Sequence, residues 1–174
     1  MQLLTISGSL RAKSSNTSVL DALPLLAPAD TIARRYAGLG SLPHFNPDLE
    51  MGELPDAVAA LRREVGAADG LVLSSPEYAH GIAGSLKNML DWLVGSLEFP
   101  GKPIAVINAA PRAHHADAQL VEILRTMSAR IEESWLLTLP VQGSGLDAAG
   151  IAATPALADP LRELLRRFAG EIQG

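Results

Sequence analysis

Short apolar runs alternate along this chain with longer segments whose apolar positions recur every three or four residues. QLLTIS (2–7) predicts a first strand, and NTSVLDALPLLA (16–27) a helix that Pro24 is expected to end or bend. TIARRY (31–36) predicts a second strand, its two arginines suiting a sheet edge, and a Pro-, Gly- and Asp-rich loop is expected from Ala37 to Glu53. Leu54, Val58, Leu61 and Val65 then fall on one helical face. GLVLSS (70–75) is short and apolar, as a strand buried on both faces would be. A helical stripe of Leu86, Met89, Leu90, Leu93, Val94 and Leu97 precedes the fourth strand, PIAVINA (103–109). Leu120, Ile123, Leu124, Met127 and Ile131 mark a fourth helix, and SWLLTLP (134–140) a fifth strand. A Gly/Ala-rich loop (143–154) leads to a last helix carrying Leu157, Leu161, Leu164, Leu165, Phe168 and Ile172.

Five strands alternating with five helices predict an α/β fold, a parallel sheet covered on both faces. At 174 residues one domain is expected, spanning 1–174. Ligands of such sheets bind outside the carboxyl ends of the strands. The loops after strands one, three and four should therefore converge, and they read SGSLRAKSSN, SPEYAHG and AAPRAHH.

Composition acts mainly by exclusion. Lys and Arg number 14 against 19 Asp and Glu, a net charge of −5, and the basic residues are scattered, so neither nucleic acid nor an anionic membrane is an expected partner. Without cysteine there is no disulfide framework, thiolate nucleophile or Cys-based metal site. The N-terminus MQLLTISGSLR lacks the basic start and apolar core of an export signal, and no apolar run approaches the ~20 residues of a membrane helix. A soluble cytoplasmic protein is expected.

In GSLRAKSSN (8–16), Ser9, Ser14, Ser15, Asn16 and Thr17 offer polar donors beside Arg11 and Lys13 where a helix begins, a setting suited to phosphate. Capping by Ser15 or Asn16 is the plainer reading, but it accounts for one residue and leaves Arg11 unexplained. The loop has neither the G-x-G-x-x-G nor the G-K-[ST] pattern of common nucleotide sites.

In the third-strand loop Pro76 sets the exit from the strand, Tyr78 offers a ring or a hydroxyl, and Gly81 and Gly84 allow close backbone approach to a flat ligand. Ser85 or Gly84 is expected to cap the following helix. Glu77 is either a catalytic acid or base or a carboxylate that orders the loop or pairs across an interface; the ordering role is favoured because no second carboxylate adjoins it. His80 reads as an exposed polar group. His114 and His115, being adjacent, are expected to project differently, and no metal site is expected. Trp92 reads as core and Asp91 as a structural or interface ion-pair partner.

GSLRAKSSN, SPEYAHGIAGSLKNMLDWLVGS and GKPIAVINAAPR together resemble the NAD(P)H-dependent FMN reductase family, the flavodoxin-like group that includes quinone, chromate and azo-dye reductases. The resemblance covers about residues 1–140. It implies a doubly wound five-stranded sheet of order 2-1-3-4-5 and an enzyme in which hydride passes from NADPH or NADH to FMN, then to a quinone-like acceptor or free flavin. It places Ser9, Arg11, Ser14, Ser15 and Asn16 on the FMN phosphate and Pro76, Glu77, Tyr78 and Ala79 along the ring. Ala110 and Arg112, on a turn that matches less closely, fall at a second ring edge. No catalytic side chain is implied, because the cofactor carries the chemistry. A small-molecule acceptor and a homodimer or homotetramer are further implications. The alternative is a flavodoxin-type electron carrier without NAD(P)H activity; the aromatic residues are not evidently paired to sandwich a ring, which favours the enzyme. Ala83 stands where the family usually has proline, leaving the loop freer by expectation.

Overall fold

The computed structural model describes residues 1–173. Its strands are β1 (Gln2–Ser7), β2 (Ile32–Arg35), β3 (Gly70–Ser74), β4 (Glu77–Tyr78), β5 (Gly81–Ile82), β6 (Ile104–Asn108) and β7 (Leu136–Thr138). Five form one parallel sheet in the order β2-β1-β3-β6-β7, and β4 and β5 form a separate antiparallel hairpin. Counting only the main sheet, this is the flavodoxin-like order 2-1-3-4-5. The helices are α1 (Ser15–Leu26), α2 (Pro47–Glu50), α3 (Asp56–Ala67), α4 (Gly84–Val94), α5 (His114–Thr126), α6 (Ala148–Ala153) and α7 (Pro155–Gln173).

Alternation along the strands divides the core in two. Leu4, Ile6, Leu71, Leu73, Ile104 and Val106 pack with α3, α4 and α5 on one face, whereas Leu3, Val72, Ala105 and Ile107 pack with α1, α6 and α7 on the other. Each fully buried Leu or Ile stabilises the fold by about 1.5–3 kcal/mol, so the three central strands anchor it. β2 is an edge strand, as its arginines indicated. Arg34 pairs with Glu64 at 2.8 Å and Arg35 with Asp21 at 2.7 Å, exposed pairs that contribute at most about 1 kcal/mol each.

Several boundaries differ from expectation. Pro24 lies in the last turn of α1, which runs on to Leu26, so the missing N–H disturbs only the helix end. The loop before α3 contains α2, capped by Asn46 with Pro47 in its first turn. The Gly/Ala-rich loop contains α6, whose cap is Asp147, accepting from the Gly150 N–H at 2.8 Å, and which buries Ile151. The fifth strand is shorter than expected because residues 133–135 form a 3₁₀ turn that buries Trp135 against Phe168. Trp92 is core, as read, donating to the Pro43 carbonyl at 2.8 Å, and Asp91 pairs with Lys87 one helical turn away.

Candidate functional site

The loop after β1 turns tightly against the neighbouring strand. The Gly8 N–H donates to the Ser74 carbonyl at 2.8 Å, and a Cβ on Gly8 would lie 3.1 Å from Ser75 Oγ and 3.2 Å from a Leu86 methyl, so a side chain here would crowd both. Ser85 Oγ donates to the Gly8 carbonyl at 3.1 Å; the residue expected to cap α4 thus ties α4 to this loop. Ser14 is the actual cap of α1, accepting from the Thr17 N–H, one position before the residues expected in that role. Asn16 is instead buried, and its Oδ1 accepts from Ser74 Oγ at 2.8 Å. Arg11 is exposed and makes no ion pair among the described residues.

The third-strand loop is a hairpin, which its sequence does not announce. Ala79 and His80 form its corner with φ of 50° and 60°, a two-residue turn of the kind usually made by Asn-Gly. Left-handed backbone costs about 1–2 kcal/mol for each such L-residue, so outside contacts must hold the turn. Glu77 Oε2 accepts from the Ala116 N–H at 2.9 Å, and Gln119 Oε1 accepts from the Ile82 N–H at 2.9 Å, fastening both strands to α5. Ala113, at the cap position of α5, has no side-chain oxygen, and Glu77 supplies one from a distance. The Ala116 N–H is the main influence holding the Glu77 carboxyl below its ordinary range, opposed by partial burial and aided by His115 and His80. Glu77 therefore stabilises the fold above the unfolded-state carboxyl pKa, an effect lost as pH falls through the lower folded value.

Ala83 has φ −56°, a value proline also adopts, and its N–H donates to Ser75 Oγ at 3.3 Å, a bond proline could not make. Ala83→Pro fits that φ while losing one long hydrogen bond. Its gain in the unfolded state, about 0.4–1 kcal/mol, and that loss should nearly cancel, leaving the urea midpoint little changed.

His114 and His115 also depart from expectation: they open α5, and their rings lie 4.1 Å apart rather than diverging. His80 stacks on His115 with centroids 4.3 Å apart. No group of three His, Cys, Asp or Glu among the described residues is arranged to hold a metal ion.

After β6, Asn108 Oδ1 accepts from the Ala110 N–H at 2.9 Å, and the Ala109 carbonyl accepts from the Gln142 N–H at 2.8 Å. The three loops enclose a solvent-open cleft of about 140 Å³. It is lined by Ser9, Arg11, Ser14, Ser15, Asn16, Pro76, Glu77, Tyr78 and Ala110, together with Ala109, Ala113 and Gln142, which the sequence reading missed. Ala79, at the hairpin corner, and the exposed Arg112 lie outside this lining. The loop after β1 thus contributes hydroxyls and a guanidinium to the lining, and the later loops contribute Pro76, Glu77, Tyr78, Gln142 and three alanines.

Ala113 also lies beside a small surface recess faced by Asp117, Ser75 and Asn108. Burial pushes the Asp117 carboxyl up, so its ionised form costs stability at neutral pH. Asp117→Asn should stabilise the protein at pH 7 by under about 1 kcal/mol, the effect being reduced by solvent on the exposed side. The advantage should vanish below the unfolded-state value of about 3.9, where the wild-type carboxyl is protonated in both states. Urea titrations at the two pH values measure it.

Residues 1–137 match the family described as NADPH-dependent FMN reductase. The chain belongs to this family. Among FMN-reductase relatives, an NAD(P)H-dependent FMN reductase of Pseudomonas aeruginosa is 38% identical over 113 residues, covering 63% of this chain and 60% of that protein. A quinone reductase of Pseudomonas putida is 33% identical over 142 residues, 75% of each chain. The structure of FerB, a flavoenzyme NAD(P)H:(acceptor) oxidoreductase from Paracoccus denitrificans, superposes with a TM-score of 0.81 at 27% identity, covering 99% of this chain and 97% of that one. The chain spans about 60% of the length of the first of these relatives.

Proposed function

We propose that this FMN reductase family member binds FMN in the cleft and transfers reducing equivalents from NADPH or NADH to quinone-type acceptors. The observation that carries the reading is one cleft lined both by the hydroxyls and guanidinium of the loop after β1 and by Pro76, Tyr78 and the small residues Ala109, Ala110 and Ala113. Arg11 and the hydroxyls of Ser9, Ser14 and Ser15 would hold the phosphate beside the first turn of α1. Pro76, Tyr78, Ala109, Ala110 and Ala113 leave room for a flat ring and would orient it. When bound, FMN supplies the hydride-accepting and electron-donating chemistry. Glu77, held ionised by the α5 N–H groups, shapes the hairpin and is unsuited to donate a proton. The carrier alternative has less support, since the family match and the named relatives are reductases.

A homodimer or homotetramer in the cytoplasm completes the proposal. Exposed Val94 and Leu97 at the end of α4 support self-association, and the absence of cysteine suits a reducing compartment. No described helix is long and apolar enough to cross a membrane.

Titrating FMN into the purified protein should perturb flavin absorption and fluorescence. Anaerobic NADPH should then bleach the bound flavin, and a quinone should restore the colour. An unchanged flavin spectrum rejects the cleft as an FMN site; binding without bleaching selects the carrier.

A further inference from the structure

We infer that a recess on the β2 side of the loop after β1 holds the second phosphate and the ribose of FAD, so that the protein takes the dinucleotide flavin as well as FMN. The inference rests on the proposed function for the flavin half and adds a second site for the adenylate half. The recess is open to solvent, measures about 260 Å³ against about 140 Å³ for the cleft, and is lined by Ser7, Ser9, Arg11, Thr17, Arg35 and Ala37 among others. Ser9 and Arg11 line both spaces and so stand between them. In a dinucleotide, a flavin phosphate held at this loop is joined through one oxygen to the next phosphate, which would pass Arg11 into the recess.

The recess presents hydroxyl protons without acceptors. Ser7 and Ser9 are both nine-tenths or more buried. Ser7 Oγ lies 2.9 Å from Thr17 Oγ1 and also accepts from the Ser9 N–H at 3.3 Å. Two hydroxyls that bond to each other use one proton between them, and the other proton has no acceptor among the described residues. Ser9 Oγ accepts from the Arg11 N–H at 3.3 Å, and its own proton likewise has none. Phosphate and ribose oxygens are acceptors suited to both.

The charge around the recess favours an anion. Arg11 makes no ion pair among the described residues, and Arg35 gives only its Nε to Asp21, at 2.7 Å, so its terminal nitrogens have no partner there. No carboxylate lines the recess, Asp21 being turned to Arg35 and Glu64 to Arg34. Guanidinium N–H groups make charge-assisted hydrogen bonds to phosphate oxygens, and two of them flank the path a pyrophosphate would take. Leu10, 63% exposed, lies along the same lining with Ala12 and Ala37 and offers the adenine an apolar surface. FMN, which ends at its single phosphate, would leave Ser7, Thr17 and Arg35 without a ligand.

Calorimetric titration of FMN and of FAD into the flavin-free protein, for wild type, Arg35→Gln and Ala37→Glu, tests this. Wild type should bind FAD at least as tightly as FMN. Arg35→Gln should weaken FAD roughly tenfold, the worth of one charge-assisted hydrogen bond, and Ala37→Glu, which sets a carboxylate in the recess, at least as much. Both variants should keep FMN affinity within about threefold of wild type, since neither residue lines the cleft. Both positions are exposed, so the unfolding midpoints should be nearly unchanged. A wild type that binds FMN but binds FAD more weakly, or variants that weaken both flavins alike or neither, overturns the inference and leaves the proposed function standing. If neither flavin binds wild type, the proposed function falls and the inference falls with it.

Discussion

Arg11→Ala should weaken FMN binding by roughly 10- to 100-fold while leaving the unfolding midpoint of the flavin-free protein nearly unchanged. Arg11 lines the cleft, is exposed, and makes no ion pair among the described residues, so the fold asks little of it. A charge-assisted hydrogen bond is worth about 1.5–3 kcal/mol, which sets the range. The neighbouring hydroxyls and the α1 terminus would keep binding measurable. Because the lost partner is a charge, the deficit should shrink as salt rises and screens the wild-type interaction. His80→Ala is the contrasting case and should change FMN affinity far less. Fluorescence titration of both variants decides: equal or reversed effects would remove the phosphate from the loop after β1.

Phe168→Ala should lower stability by about 3–5 kcal/mol with no change in which residues line the cleft. Phe168 is fully buried, packs edge-on against Trp135 with centroids 4.9 Å apart, and its ring edge lies 2.9 Å from where a Cβ on Gly70 would stand. It therefore joins α7 to the sheet and to the turn before β7. Part of the cost is transfer of the ring, and part is a cavity that neither the sheet nor the indole can collapse to fill. The urea midpoint should fall with the slope of the transition retained. A loss below about 1 kcal/mol would mean that α7 contributes little to the second core.

The central sheet was legible because β1, β3 and β6 are apolar runs bounded by polar turns, and the order followed from the family resemblance rather than from periodicity. Nine of the eleven named site residues line the cleft because they follow strands whose ends the topology brings together. What escaped notice was non-local or locally unfavourable. Ala79-His80 is not a hairpin sequence, and the turn exists only because α5 grips both strands. Glu77 as a cap is invisible to a search of the residues preceding α5, since 39 positions separate it from Ala116. Gln119 gave no signal, being one polar residue on the side of an amphipathic helix. Gln142 lines the cleft only because its backbone pairs with Ala109 beyond β6, a contact no short window contains.

The bond from Ser85 to the Gly8 carbonyl, with that of Gly8 to Ser74, joins the loop after β1 to the helix behind the hairpin. In kinetic terms, this makes the receptor ready before its ligand arrives. FMN association should follow a single exponential whose rate rises linearly with concentration, without the plateau of a slow rearrangement. Substitutions in the cleft walls would then shorten residence time and leave the encounter rate largely alone.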